Sequence, residues 1–213
     1  MKLYTTWRSS AAYRVRIALN LKGLAYESVP KKLVSGEHLA ADYQAVNPQA
    51  LVPALEDGAT VIGQSLAIIE YLDETHPEPP LLPRDPAARA TVRSLALAIA
   101  CDIHPLNNLR VLNYLKGPLA QADAGVSAWY GHWIGEGFRG LERLAQRHSA
   151  DGRHLYGSAV TLADLCLVPQ IYNARRFDCD LAPFPTLVNI SQALEALPAF
   201  AAARPEAQPD APG

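Results

Sequence analysis

The chain has 213 residues, 49% of them hydrophobic and 19% charged, a balance that excludes intrinsic disorder, collagen-like repeats and a disulfide scaffold. Nineteen Lys and Arg stand against 21 Asp and Glu, for a formal charge of -2, and neither half is basic enough to hold a phosphate backbone. Cys101, Cys166 and Cys179 are odd in number and never fall in a C-x-x-C pair, which argues against a disulfide framework, a zinc cluster and a dithiol redox centre.

Near the start, polar Arg8-Ser9-Ser10 interrupts the apolar run before signal-peptide length, and no window reaches the length of a membrane span. The expectation is a cytoplasmic protein. Residues 2–6 read as a strand, and residues 10–22 as a helix that Gly23 stops. A second strand is expected over 26–29 and a short helix over 37–45. Residues 52–55 and 60–62 read as a hairpin with an Asp57-Gly58 turn, and 65–74 as a closing helix with Leu66, Ile69 and Leu72 on one side. The order β-α-β-α-β-β-α outlines a thioredoxin-like α/β layer.

Between His76 and Pro86 the chain runs H-P-E-P-P-L-L-P-R-D-P, with five prolines that suit an extended connector. The expected domains are therefore 1–78, a linker at 79–86, and an all-helical domain at 87–213. From Pro86 to about Lys116 one apolar stripe predicts a long helix kinked at Pro105. A second helix is expected from about Ala122 to His148. A third begins at Thr161, where T-L-A-D is a capping box and Val160 with Leu165 can form a hydrophobic staple. The proline-rich tail from Arg204 to Gly213 has too little apolar content to fold alone and is expected to lie along the surface.

Three short stretches carry possible chemistry. Ser9 and Ser10 stand at a strand-to-helix junction, where free N–H groups and positive potential stabilise an anion, whether phosphate, carboxylate or thiolate; the plain alternative is that one of them only caps the helix. In N-P-Q-A-L-V-P-A-L (47–55) a cis bond at Val52-Pro53 would leave the Val52 backbone to pair with an extended peptide, and the alternative is a simple edge-strand start. Gln64 and Ser65 lead a helix whose amides can receive a carboxylate, or again only cap it.

Their order and spacing, with the proline linker and the capped helix, resemble those of a cytosolic glutathione transferase. More closely, R-S-S-A-A-Y-R-V-R-I-A-L resembles the R-S-S-C-x-x-R-V-R-I-A-L signature of the zeta class. So do L-A-D-L-C-L-V-P-Q-I-Y-N-A-R-R-F-D-C-D-L and A-Q-P-D-A-P toward the end of the chain, and C-D-I-H-P-L-N-N-L-R (101–110) is similar to the bacterial branch containing maleylacetoacetate and maleylpyruvate isomerases. The resemblance covers nearly the whole chain. It implies an α/β thioredoxin-like N-terminal domain, an all-α C-terminal bundle, glutathione as cofactor and a homodimer.

Residue by residue, the resemblance implies that Ser9 and Ser10 activate the glutathione thiol, lowering a pKa that is ordinarily about 8.5, with Ser9 the favoured donor. The family's cysteine falls at Ala11. Val52 would pair through its backbone with the cysteinyl unit, Gln64 and Ser65 would hold the γ-glutamyl end, and His38, on the second helix, would face the glycyl end. By spacing alone, His104 and Asn108 lie one helical turn apart on one face; by resemblance they, Leu109 and Arg110 complete the glutathione contacts. Arg8, Arg110 and Arg176 are the implied clamps for a dicarboxylic keto acid. Arg14 and Arg16 read as structural, and Arg175 is undecided.

The implied reaction is cis-trans isomerisation: the thiolate adds to the cis double bond, cationic groups stabilise the enolate, the bond rotates and the thiolate leaves. Two rivals keep the fold: a transferase acting on α-haloacids, and a non-catalytic binding module. A glutaredoxin-like oxidoreductase would need a cysteine near position 10, where Ser9, Ser10 and Ala11 stand.

Overall fold

The computed structural model describes residues 1–212, so Gly213, the last residue of the proline-rich tail, lies outside it. By packing, the chain divides into Met1–Leu81 together with the segment from Glu195 onward, and Leu82–Leu194.

In the first unit, strands β1 (Lys2–Thr5), β2 (Glu27–Pro30), β3 (Ala54–Asp57) and β4 (Thr60–Gly63) form a sheet in the order β2-β1-β3-β4. β1 runs parallel to β2, whereas β3 is antiparallel to both β1 and β4, with Leu55 opposite Leu3 on one side and Ile62 on the other. The parallel pair requires a crossover, supplied by helix α1 (Ser10–Leu21). Leu3, Ala54 and Leu55 are fully buried, as are Val15, Ile17, Ala18 and Leu19 of α1. The hairpin differs by one residue from the sequence reading: Asp57 still pairs with Thr60, and the corner is Gly58-Ala59. Gly58 takes φ +60 while Ala59 keeps a negative φ, the combination that a glycine-first tight turn demands. Helix α3 (Ser65–Thr75) closes this layer.

The segment expected over 37–45 is split. Residues Glu37–Leu39 form a 3-10 turn, Ala40 is extended, and only Ala41–Val46 is α-helical (α2). His38 therefore stands in the 3-10 turn and not on the second helix.

The chain's end packs on α1, although the sequence reading assigned residues 195–213 to the helical domain. Helix α9 (Pro198–Ala203) receives hydrogen bonds at its carbonyls from Tyr13 Oη to Phe200, Arg16 Nε to Ala203 and Asn20 Nδ2 to Ala199. The tail is anchored as well, for the Trp7 amide donates to Asp210 Oδ2 at 2.9 Å. This covering explains how α1 can bury Arg14 and Arg16, which are 2% and 1% exposed.

The second unit contains α4 (Pro86–Leu97), α5 (Leu109–Lys116), α6 (Asp123–His148) and α7 (Leu162–Arg176), followed by α8 (Pro185–Glu195). The single kinked helix expected from Pro86 to Lys116 does not form. After α4 the backbone widens into a π turn at Ala98–Ile103, tightens into a 3-10 turn at His104–Asn107, and becomes extended at Asn108 (φ -68, ψ 148) before α5 starts. Gly137 of α6 makes room for the widened turn, because a Cβ there would collide with the Ile103 side chain.

The capping box at Thr161 forms as expected, and the fully buried Asp164 carboxylate is its hub. It accepts from the Thr161 amide at 2.7 Å, the Thr161 hydroxyl at 2.9 Å and the Leu155 amide at 2.7 Å. Burial nevertheless prevails over these bonds and pushes its carboxyl up to about 6. Among the described residues no helix is long and apolar enough to cross a membrane.

Candidate glutathione and substrate site

The N-terminus of α1 is built from below by Arg16. Its guanidinium donates to Thr5 Oγ1 at 3.2 Å and to the carbonyls of Thr6 and Trp7 at 3.4 and 2.9 Å, which fixes the turn from which Arg8 and Ser9 emerge. Burial lowers the Arg16 pKa to about 10, so it stays charged at neutral pH. Ser9 is the N-cap and its Oγ accepts from the Ala12 amide at 3.2 Å. A hydroxyl that accepts in this way still has its own O–H to donate. Ser9 is half-buried, so that donor stands at the positive end of α1, where a thiolate is favoured. Ser10 is the first residue of α1 and is buried. Arg8 is exposed, its guanidinium carbon 5.1 Å from the Trp7 ring centroid.

The second component is the loop between α2 and β3. Leu51 O accepts from both Tyr43 Oη (2.6 Å) and Asn47 Nδ2 (2.8 Å), while Asn47 Oδ1 accepts from the Gln49 amide at 3.2 Å. Ala50 sits at φ +53 and the Val52-Pro53 bond is cis. Among the described residues none hydrogen-bonds to the Val52 backbone, which leaves it open to an extended peptide.

The third component is the start of α3. Gln64, its N-cap, lies at φ 65 and ψ 117, a conformation costly for a non-glycine residue and of the kind that concentrates at ligand clamps. Its Nε2 donates to Gln49 Oε1 at 2.9 Å, tying the α3 start to the 47–53 loop. Ser65 is buried and its Oγ accepts from Arg14 Nη1 at 3.3 Å. His38 contributes a buried Nδ1 without a hydrogen-bond partner among the described residues.

Sequence reasoning missed Tyr43, Gln49 and Arg14 in this network. Asn47-Pro48 is a turn signal that pointed to the loop, yet nothing local indicates which side chains would bind its carbonyls.

In the helical unit the predicted residues are arranged differently from expectation. His104 opens the 3-10 turn and Asn108 is the extended N-cap of α5, its Oδ1 accepting from the Arg110 amide at 3.1 Å. They do not share one face of a continuous α-helix, because the four-residue spacing crosses a helix end. Leu109 and Arg110 follow in the first turn of α5, both exposed. Arg176 is the last residue of α7 and exposed, its guanidinium carbon 4.5 Å from the Phe177 ring centroid.

The thioredoxin-like sheet, with its proline before β3 and an ensuing helical unit, defines the fold of the cytosolic glutathione transferases. The family described as the N-terminal domain of glutathione S-transferase matches residues 3–80. A probable maleylacetoacetate isomerase of Vibrio cholerae is 56% identical over 211 residues, covering 98% of this chain and 97% of that protein. A solved maleylpyruvate isomerase, a bacterial zeta-class glutathione S-transferase in its holo form, superposes with a TM-score of 0.97 at 48% identity over 100% of both chains. The maleylacetoacetate isomerase of Methylobacterium extorquens AM1, solved with bound malonate and GSH, gives a TM-score of 0.95 at 44% identity, again over 100% of both. The chain belongs to the zeta class of glutathione transferases.

Proposed function

We propose that the protein is a glutathione-dependent cis-trans isomerase of a maleyl keto acid, converting maleylacetoacetate to fumarylacetoacetate or maleylpyruvate to fumarylpyruvate. The observation that carries this reading is 56% identity to an isomerase sustained over 98% of the chain, so the likeness extends through both units and not only through the thioredoxin-like sheet.

The residues present fit glutathione. The unengaged Val52 backbone, the strained Gln64 at the head of α3 and the orphaned His38 Nδ1 are the features that a tripeptide with two carboxylates would use. When bound, glutathione supplies a thiolate that adds reversibly to the cis double bond and is returned unchanged. Ser9 donates a hydrogen bond from its hydroxyl to hold that sulfur as the anion, oriented by the bond it accepts from the Ala12 amide. Ser10 supports it from the first position of α1. Val52 offers its backbone to the cysteinyl unit, Gln64 and Ser65 hold the γ-glutamyl carboxylate, and His38 serves the glycyl end. His104, Asn108 and Leu109 complete the cofactor contacts. Arg8, Arg110 and Arg176 hold the substrate carboxylates and stabilise the charge that develops on the keto acid, a role suited to planar, permanently charged guanidinium groups. Ala11 stands where the family motif has cysteine, and isomerisation needs no protein thiol there.

The same proposal makes the protein a cytoplasmic homodimer, the assembly checked by sedimentation equilibrium. The activity is tested by following freshly generated maleylacetoacetate and maleylpyruvate by absorbance, each coupled to its hydrolase, with and without glutathione. Turnover of either that requires glutathione supports the reading and the faster substrate names the reaction; glutathione binding without turnover of either overturns it.

A further inference from the structure

Arg176 ends a helix and is exposed, and a long cationic side chain in that position ordinarily samples many rotamers. Here its surroundings restrict it. The Phe177 ring lies under the guanidinium at 4.5 Å, and that ring is itself stacked on Tyr130 of α6, with centroids 3.7 Å apart and planes 14° from parallel. The Tyr130 hydroxyl also faces the Arg176 guanidinium within reach of a side-chain hydrogen bond. Because a guanidinium only donates, the phenolic oxygen accepts. Tyr130 is 1% exposed, and burial pushes its hydroxyl above the ordinary tyrosine range, so it remains neutral across the working pH range.

Tyr130 also reaches the 3-10 turn that His104 opens. Its carbonyl accepts from Asn107 Nδ2 at 3.2 Å, and the adjacent Trp129 indole donates to Leu106 O at 2.9 Å. One turn of α6 thus holds both the 3-10 turn that follows His104 and the guanidinium at the end of α7.

We propose that Tyr130 is a positioning residue for substrate recognition: through its hydroxyl and the stacked Phe177 ring it fixes Arg176 in the orientation that receives a substrate carboxylate. This rests on the reading of Arg176 as a carboxylate clamp. Tyr130 itself touches no reacting atom. Its contribution is preorganisation, which lowers the cost of ordering the clamp when substrate binds.

The test compares wild type, Tyr130→Phe, Arg176→Ala and the double variant, with two independent readouts. The first is the order of the Arg176 Nε–Hε group, measured by nitrogen-15 relaxation in the protein without substrate. The second is steady-state kinetics with the maleyl keto acid. Tyr130→Phe keeps the ring stack and is expected to lower Arg176 order and raise the substrate KM about fivefold, leaving the glutathione KM within about twofold. In the Arg176→Ala background the same change is expected to add nothing, because the two residues act as a unit. Unchanged Arg176 order in Tyr130→Phe, an unchanged substrate KM, or an additive effect in the double variant overturns the proposal. If wild type turns over neither keto acid, the isomerase reading fails, while the relaxation measurement still decides whether Tyr130 orders Arg176.

Discussion

The glutathione-side residues of the first unit and the arginines of the second are held in contrasting ways. Around Ser9, Val52 and Gln64 the backbone is wired by side chains: Arg16 binds the turn before α1, Tyr43 and Asn47 both bind Leu51 O, and Gln64 is tied to Gln49. Arg110 and Arg176 are exposed and begin or end helices, with aromatic support at Arg176 alone among the described contacts. On the proposed function the first set serves a task that is the same in every turnover, namely presenting one sulfur at one helix terminus. The arginines, held at their side chains and not through a backbone network, suit selection of a substrate, where small changes in clamp position alter which diacid fits.

The largest expected loss is at Ser9. Ser9→Ala removes the hydroxyl whose oxygen caps α1 and whose proton is proposed to donate to the sulfur, and is expected to lower isomerase kcat/KM by roughly 100- to 1000-fold, as loss of one preorganised donor does elsewhere. Steady-state rates of Ser9→Ala and Ser10→Ala side by side check it; a loss confined to the Ser10 variant reassigns the donor.

In the helical unit the buried hydrogen-bonded hub is Asp164. Asp164→Ala leaves the Leu155 and Thr161 amides buried without their acceptor and is expected to cost about 3 kcal/mol in urea unfolding. The pH dependence has a defined sign. Asp164 binds its proton more tightly folded (about 6) than at its ordinary value of 3.8, so its contribution to stability is fully present below about pH 4 and is lost as pH rises through about 6. Relative to wild type, Asp164→Asn is expected to lack this downward component between pH 4 and 6, read from urea midpoints.

Much of this was legible from local patterns. The strand-helix junction at Ser9-Ser10, the proline before β3, the proline connector and the Thr161 capping box are each written in a few adjacent residues whose physics is short-ranged. Where the reading failed, the cause lies far along the chain. The π turn at 98–103 depends on Gly137 of α6 making room for Ile103, so the apolar stripe from Pro86 to Lys116 looked continuous. His104 and Asn108 were accordingly placed on a shared face that the helix end removes. The burial of Arg14 and Arg16 follows partly from the packing of α9 on α1, a contact spanning most of the chain. The network that fixes Val52 depends on Tyr43, whose hydroxyl reaches Leu51 only once α2 and the loop have folded together.

Two smaller perturbations sharpen the contrast. Gln64→Ala removes the tie to Gln49 and the proposed γ-glutamyl contact, and is expected to raise the glutathione KM about fivefold, near 1 kcal/mol, with little change in the substrate KM. Ala11→Cys restores the cysteine of the family motif; since the nucleophile belongs to glutathione, isomerase kcat/KM is expected to stay within about twofold.

In the proposed isomerisation glutathione is a cofactor and not a consumed substrate. The most direct measurement counts free glutathione by thiol titration before and after many turnovers of the maleyl keto acid, with proton NMR identifying the product. The account predicts a trans product formed in large excess over glutathione, whose concentration does not fall. Loss of one glutathione per product, with a thioether in place of the trans isomer, would contradict it and make the protein a conjugating transferase.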